Sequence, residues 1–264
     1  MDALALLRLM IEWGADEGLA ETPVDRLRPV GSPSAASPSP PAVPRRPTPL
    51  RAAPTATPTR TPPQGTPATG IEQATTLDTL REAMAAFDGC ALRTTASNLV
   101  FADGNPQSGL LIIGDAPSDA DDRSGRAFDG PAGAYLDRML QSIGLDRSRA
   151  LLTPLLPWRP PGGRPPTPPE VAACLPFLHR LIALASPRRV VLIGPLAARA
   201  VLGAAPPRRA RGWLAASVPG LPNPLPALIL PGLEQLRARP AGRREAWAAL
   251  RLLRRAIDED IAEK

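Results

Sequence analysis

The sequence predicts a three-layer α/β/α domain built on a mostly parallel four-stranded sheet, preceded by a short helix and a proline-rich linker. Three observations carry this. Short apolar runs at Gly109–Gly114 (GLLIIG), Arg149–Thr153, Arg189–Gly194 (RVVLIG) and Leu225–Leu230 read as buried strands. Helical patterns separate them, which implies βαβ units with both sheet faces covered. Of the 36 prolines, thirteen fall between Pro29 and Pro67, which sets that stretch apart from the remainder.

Element by element, Leu4, Leu7, Leu9, Ile11 and Leu19 suggest an amphipathic helix, and residues 1–22 form a first segment. Residues 23–70 are rich in Pro, Ala and Thr with almost no large apolar side chain. They cannot bury enough surface to offset their ordering entropy, and read as a disordered linker. Residues 71–264 form the folded domain. Leu77–Phe87 is a helix closed by Asp88-Gly89, and Ala134–Ile143 is a helix followed by Gly144 as a stop signal. Pro168–Ala185 is a long helix with proline at its start, Pro195–Leu202 a shorter one, and Gly242–Ile261 a terminal helix rich in Arg and Ala.

Hydrophobic content of 44% excludes a wholly disordered chain, while 3% aromatic content leaves the core to Leu, Ala, Val and Ile. The net charge of +6 and pI near 10.7 come from arginine, Lys264 being the sole lysine. Such a chain favours polyanions, nucleic acid above all, although arginine simply replacing lysine throughout accounts for it equally well. Two cysteines, Cys90 and Cys174, argue against a disulfide scaffold and suit a reducing compartment. No apolar run is long enough to span a membrane, and the start carries Asp2 and Glu12 without a basic region. The expected setting is the cytoplasm, in association with the nucleoid.

Sites on parallel sheets lie beyond the C-terminal ends of the strands. The loop after the first strand, Gly114-Asp115-Ala116-Pro117-Ser118-Asp119-Ala120-Asp121-Asp122, puts four carboxylates near one strand end, where they can orient water or stabilise a cationic transition state. The same residues also suit plain helix capping and Asx turns. A phosphate-binding loop is excluded because Gly-Lys-Ser/Thr is missing, and an EF-hand because its acidic spacing is missing. The loop after the second strand is stiffened by proline and offers Arg159 and Arg164 to phosphate, or serves as a structural crossover.

Three runs together resemble the bacterial type-4 uracil-DNA glycosylases: GDAPSDADDRSGRAFDG, LLPWRPPGGRPPTPPEVAACLPFL and VVLIGPLAARAVLG, with RREAW closing the match. The resemblance runs from Phe87 to Leu250, and the N-terminal segment and linker look like the variant found in alphaproteobacteria. It implies hydrolysis of the N-glycosidic bond of a flipped deaminated base in DNA, during base excision repair. By position, Asp115 and Asp121 take the catalytic carboxylate places, and Phe128 the place of the ring that stacks on the base. Gly114, Ala116, Pro117 and Pro154 complete the substrate pocket. Arg159, Arg164, Arg237 and Arg239 are implied DNA contacts, with Arg208, Arg209, Arg211, Arg243 and Arg244 as further basic positions.

The chain departs from the family at two key positions of the base-binding site. Pro154 stands where the family has an asparagine that reads the uracil edge, and Leu230 stands where it has a histidine that stabilises the leaving base. The lone histidine, His179, sits on the long helix and reads as a solvated surface residue. Family members hold a [4Fe–4S] cluster with four cysteines; here Cys90 and Cys174 occupy two of those positions, and Phe87 and Trp158 the others, so no cluster and no metal is expected. The expected partner is DNA, uracil-containing or abasic, bound by a monomer, with residues 1–70 available to a protein partner. Two alternatives remain open: a DNA-binding or damage-sensing paralogue that has lost hydrolysis, and a glycosylase for hypoxanthine or xanthine.

Overall fold

The computed structural model describes residues 69–203, 212–239 and 242–262. The N-terminal helix, the linker as far as residue 68 and the basic turn at Arg208, Arg209 and Arg211 lie outside the described residues; Thr69 and Gly70, expected in the linker, instead open a helix.

Six strands form one sheet in the order β1-β3-β2-β4-β6-β5. The four expected strands are its centre: β2 (Leu110–Gly114), β3 (Leu151–Pro154), β4 (Arg189–Ile193) and β6 (Leu225–Leu230), all mutually parallel. Two short antiparallel edge strands extend it, β1 (Asp103–Gly104) against β3 and β5 (Leu214–Ala216) against β6. The sheet is therefore six-stranded and mixed at its rims. Two- and three-residue edge strands carry no apolar alternation, so sequence pattern alone does not expose them.

Among the described residues eight helices flank this sheet: α1 (Thr69–Gln73), α2 (Leu77–Ala86), α3 (Asp119–Ser124), α4 (Gly130–Gln141), α5 (Pro168–Ala185), α6 (Pro195–Leu202), α7 (Leu233–Ala238) and α8 (Arg243–Ala262). Alternate residues of the central strands feed two cores. Leu111, Ile113, Val190 and Leu192 pack with Leu80, Phe177, Leu181 and Ala197 on the face of α2, α5 and α6. Leu110, Ile112, Val191 and Leu228 pack with Leu136, Leu140, Leu236, Leu250 and Leu253 on the face of α4, α7 and α8. A strand buried on both faces must be apolar throughout, which is why LLIIG and RVVLI read as continuous runs.

The order of strand addition reverses at β2: β3 lies on one side of it and β4 on the other. In open parallel sheets the crevice outside the strand ends at such a reversal is the ligand site. Here it opens beside Gly114.

Candidate functional site

The loop leaving β2 is built by capping. Ser118 caps α3: its Oγ accepts from the Asp121 N–H at 3.2 Å, while Asp121 Oδ2 accepts from the Ser118 N–H at 2.7 Å. Asp121 Oδ1 accepts in turn from the backbone N–H of Asp129, tying the start of α3 to the start of α4. Both oxygens of this buried carboxylate are thus held by backbone donors. Asp122 performs a similar task outward, accepting from the N–H groups of Ser97 and Asn98. Asp129 caps α4, and the Ser124 hydroxyl and Gly130 N–H hold its carboxyl below the usual range.

Phe128 stands between the two helices with φ of 54°, a left-handed backbone that a bulky residue adopts only under constraint. The constraint is visible. Arg147 donates to the carbonyl oxygens of Phe128 and Ala127, and is itself held by Asp137 and Asp103, each at 2.9 Å. Gly133 lets the Phe128 carbonyl approach, since a Cβ there would sit 1.6 Å from its oxygen. The ring then lies over the end of β2, where a Cβ on Gly114 would come within 2.7 Å of it.

Asp115 follows Gly114 and turns toward α6. Its Oδ1 accepts from the Ala197 N–H at 2.8 Å, and the Leu196 N–H also reaches the carboxylate. Gly194 makes room with φ of 103°; a Cβ there would lie 2.3 Å from the carboxylate. Burial pushes the Asp115 carboxyl up from its ordinary value, and the two backbone donors offset this only in part.

These residues enclose a cavity of about 200 Å³. Gly114, Asp115, Ala116, Asp121, Phe128 and Pro154 all line it, whereas Pro117 is buried beside it and does not. The opposite wall is Ile193 and the segment Gly232–Gln235. Every ionisable side chain lining it is a carboxylate: Asp115, Asp121, Asp129 and Glu234. Ser118 and Gln235 are its neutral polar groups. Glu234 and Gln235 are additions to the expected site, although the loop after the last central strand was an expected location. Arg147 had no sequence signal, because it acts from a 3-10 turn on the backbone of residues far away in the chain.

Leu230 does not fill the cavity. It is 1% exposed and packs in the core beneath α7 and α8. His179 is half-buried rather than solvated; burial lowers its pKa, and it is no part of the cavity.

None of the four expected DNA-contact arginines lines the cavity. Three are in ion pairs: Arg159 with Asp119 at 3.3 Å, Arg164 with Glu170 at 2.6 Å, and Arg237 with Glu234 at 2.9 Å. Arg164 holds the Glu170 carboxyl down to about 2. Arg239 is exposed just beyond α7.

The residues present do not fit a four-cysteine cluster. Cys90 and Cys174 touch each other, Sγ to Sγ at 3.8 Å, inside the core that also contains Trp158 and Phe177. The ring of Phe87 packs edge-on against Phe177 with centroids 5.0 Å apart. Two thiols and two aromatic rings supply only half the ligands such a cluster takes. Among the described residues no group of three or more His, Cys, Asp or Glu is arranged to hold a metal ion, and no helix is long and apolar enough to cross a membrane.

Comparison with known proteins agrees with this architecture. The family model of the uracil DNA glycosylase superfamily matches residues 101–251. A type-4 uracil-DNA glycosylase of Pyrobaculum aerophilum is 36% identical over 126 residues, covering 48% of this chain and 64% of that protein. Its counterpart from Archaeoglobus fulgidus is 38% identical over 122 residues, covering 46% and 61%. That of Thermotoga maritima is 31% identical over 121 residues, covering 46% and 63%. The chain thus spans less than two-thirds of the length of these relatives. The matched segment begins before β1 and ends inside α8, taking in the whole sheet and every residue lining the cavity, and the chain belongs to the uracil DNA glycosylase superfamily.

Proposed function

We propose that this chain is a monofunctional DNA glycosylase that hydrolyses the N-glycosidic bond of a flipped uracil, the first step of base excision repair. The observation that carries the reading is the open cavity at the β2 switch point, with a carboxylate (Asp115) and an aromatic ring (Phe128) on the same wall. A flipped base stacks on Phe128, a contact worth roughly 1–3 kcal/mol. Asp115 takes the catalytic role in preference to Asp121. Asp115 is half-buried, and its lone pairs beyond the two N–H contacts remain open to a water molecule, whereas Asp121 is buried with a backbone N–H on each oxygen. Asp121 acts by holding the wall in place.

In the reaction, water held by Asp115 attacks C1′ as the bond to the base breaks. The bonding pair leaves with the base, which takes a proton from water, and an abasic site remains. The developing cationic sugar is stabilised by the surrounding carboxylates. No lining side chain carries positive charge toward the leaving base. Losing one such donor typically costs about 10²–10³ in rate. Uracil excision is therefore slow, and needs no metal or organic cofactor. The partner is DNA, engaged by a monomer, which places the protein with the nucleoid in the cytoplasm; residues 1–70 are left to a protein partner.

The all-carboxylate lining, with Pro154 and Leu230 at the two departing positions, favours a second reading: a DNA-binding or damage-sensing paralogue without turnover. Single-turnover cleavage of uracil in single- and double-stranded DNA, with alkali to reveal abasic sites, separates the two. Cleavage abolished by Asp115→Ala supports the glycosylase. Salt-sensitive binding without cleavage of uracil, hypoxanthine or xanthine supports the paralogue, and cleavage of either purine alone moves the activity to that base.

A further inference from the structure

Cys90 and Cys174 are the chain's only cysteines and stand 84 positions apart. Cys90 precedes the 3-10 turn Ala91–Thr94, and Cys174 lies in the first half of α5. Both are buried, at 3% and 0% exposure, and neither belongs to the cavity. The Cys174 thiol donates to Cys90 Sγ at 3.8 Å, so each sulfur's nearest reactive partner is the other. A disulfide needs about 2.05 Å between sulfurs. The remaining gap is within reach of side-chain rotation plus a small shift of the turn, which is not part of a sheet or long helix.

We propose that Cys90 and Cys174 form a reversible intramolecular disulfide, with a small hydroperoxide as the oxidant. Hydroperoxide is preferred over a protein disulfide because both sulfurs lie beneath the surface. Cys90 Sγ, as the thiolate, attacks one peroxide oxygen and the O–O bond breaks. The displaced hydroxide takes a proton and leaves as water, and Cys90 becomes a sulfenic acid. Cys174 Sγ then attacks Cys90 Sγ, the S–O bond breaks, and the departing hydroxide takes the Cys174 proton. Two thiols and one hydrogen peroxide give one disulfide and two waters; each sulfur loses one electron and the peroxide gains two.

The bond fastens the 90–98 segment to α5. That segment is already tied to α3, because Ser97 and Asn98 donate to Asp122. Oxidation therefore braces the layer behind the Asp115–Asp121 wall.

The test uses the full-length protein, fully reduced and then given one equivalent of hydrogen peroxide. Alkylation and intact-mass measurement should show a loss of two hydrogens, no alkylated cysteine, and one peptide pair joining Cys90 to Cys174. Dithiothreitol should restore two alkylatable thiols. The oxidised protein should melt at a higher temperature than the reduced one, a difference absent from Cys90→Ala and Cys174→Ser. The wild-type mass measurement stands even where a variant folds poorly. Two free thiols after peroxide, Cys90 carried on to sulfinic acid, an intermolecular disulfide, or purification with iron and labile sulfide on these cysteines each overturn the proposal.

Discussion

Arg147 donates from its guanidinium to the carbonyl oxygen of Phe128, the residue whose ring lies over the end of β2. One arginine, braced by Asp103 and Asp137, holds a left-handed aromatic in place from outside the cavity. Arg147→Met removes the donors and leaves two carboxylates and two carbonyls short of partners. It should cost about 2 kcal/mol in denaturant unfolding. Base excision should fall further than stability alone explains, because the Phe128 backbone relaxes out of the strained region. Arg147→Lys keeps the charge but loses the fork geometry, and should recover stability more than activity.

Asp115 gives a pH signature with a definite sign. Its folded pKa lies above its unfolded value of about 3.9. The native state therefore binds the proton more tightly, and ionising the group costs stability. That cost is absent below the unfolded pKa, appears as pH rises through the folded pKa, and is constant above it. Asp115→Asn should accordingly melt higher than wild type at pH 7, with the difference vanishing toward pH 3, while excision is lost. The acid limb of kcat/KM for wild type should fall above the ordinary aspartate range. Equal melting temperatures across that pH range count against the desolvated carboxylate.

The two departures from the family pattern are not equivalent in space. Pro154 lines the cavity, whereas Leu230 is buried in the core closed by α4, α7 and α8 and does not line it. Pro154→Asn introduces an amide facing the base and should raise single-turnover uracil excision at least tenfold. Leu230→His introduces an imidazole among Leu228, Leu233 and Leu236, should cost about 2 kcal/mol, and should leave the rate no higher. A rate gain in the second variant and none in the first would reverse this assignment.

Ion pairing ranks the arginines for DNA. Arg164 grips Glu170 through two nitrogens, so a phosphate must displace a carboxylate to use it. No carboxylate of a described residue pairs with Arg239. Arg239→Ala should weaken binding to a fluorescent oligonucleotide and reduce the slope of log affinity against log salt by about one. Arg164→Ala should change it less.

Legibility in the sequence follows from how local the cause is. Proline at the first helical position and an apolar run ending at proline are local marks, and α5, α6 and β6 begin and end at the expected residues. The mostly parallel centre follows from strands that are apolar on both faces. The edge strands Asp103–Gly104 and Leu214–Ala216 exist only because a neighbour's backbone is in place to pair with them. The site divides the same way. Asp115, Phe128 and Pro154 lie where the strand-end rule and the resemblance put them. That Asp121 would have both oxygens held by backbone, and that Arg147 would hold Phe128, depends on contacts closed only after the layers assemble.

The position of the cavity at the sheet's reversal has a consequence for synthesis. One wall is written between Gly114 and Pro154, the other at Ile193 and Gly232–Gln235. The second wall hangs on β6, which has to pair with β4 before Gln235 can face Phe128. A nascent chain on the ribosome thus carries the Asp115 carboxylate and the Phe128 ring long before it has a pocket. The growing polypeptide has no enclosed cavity here until its last central strand has emerged and zipped into the sheet.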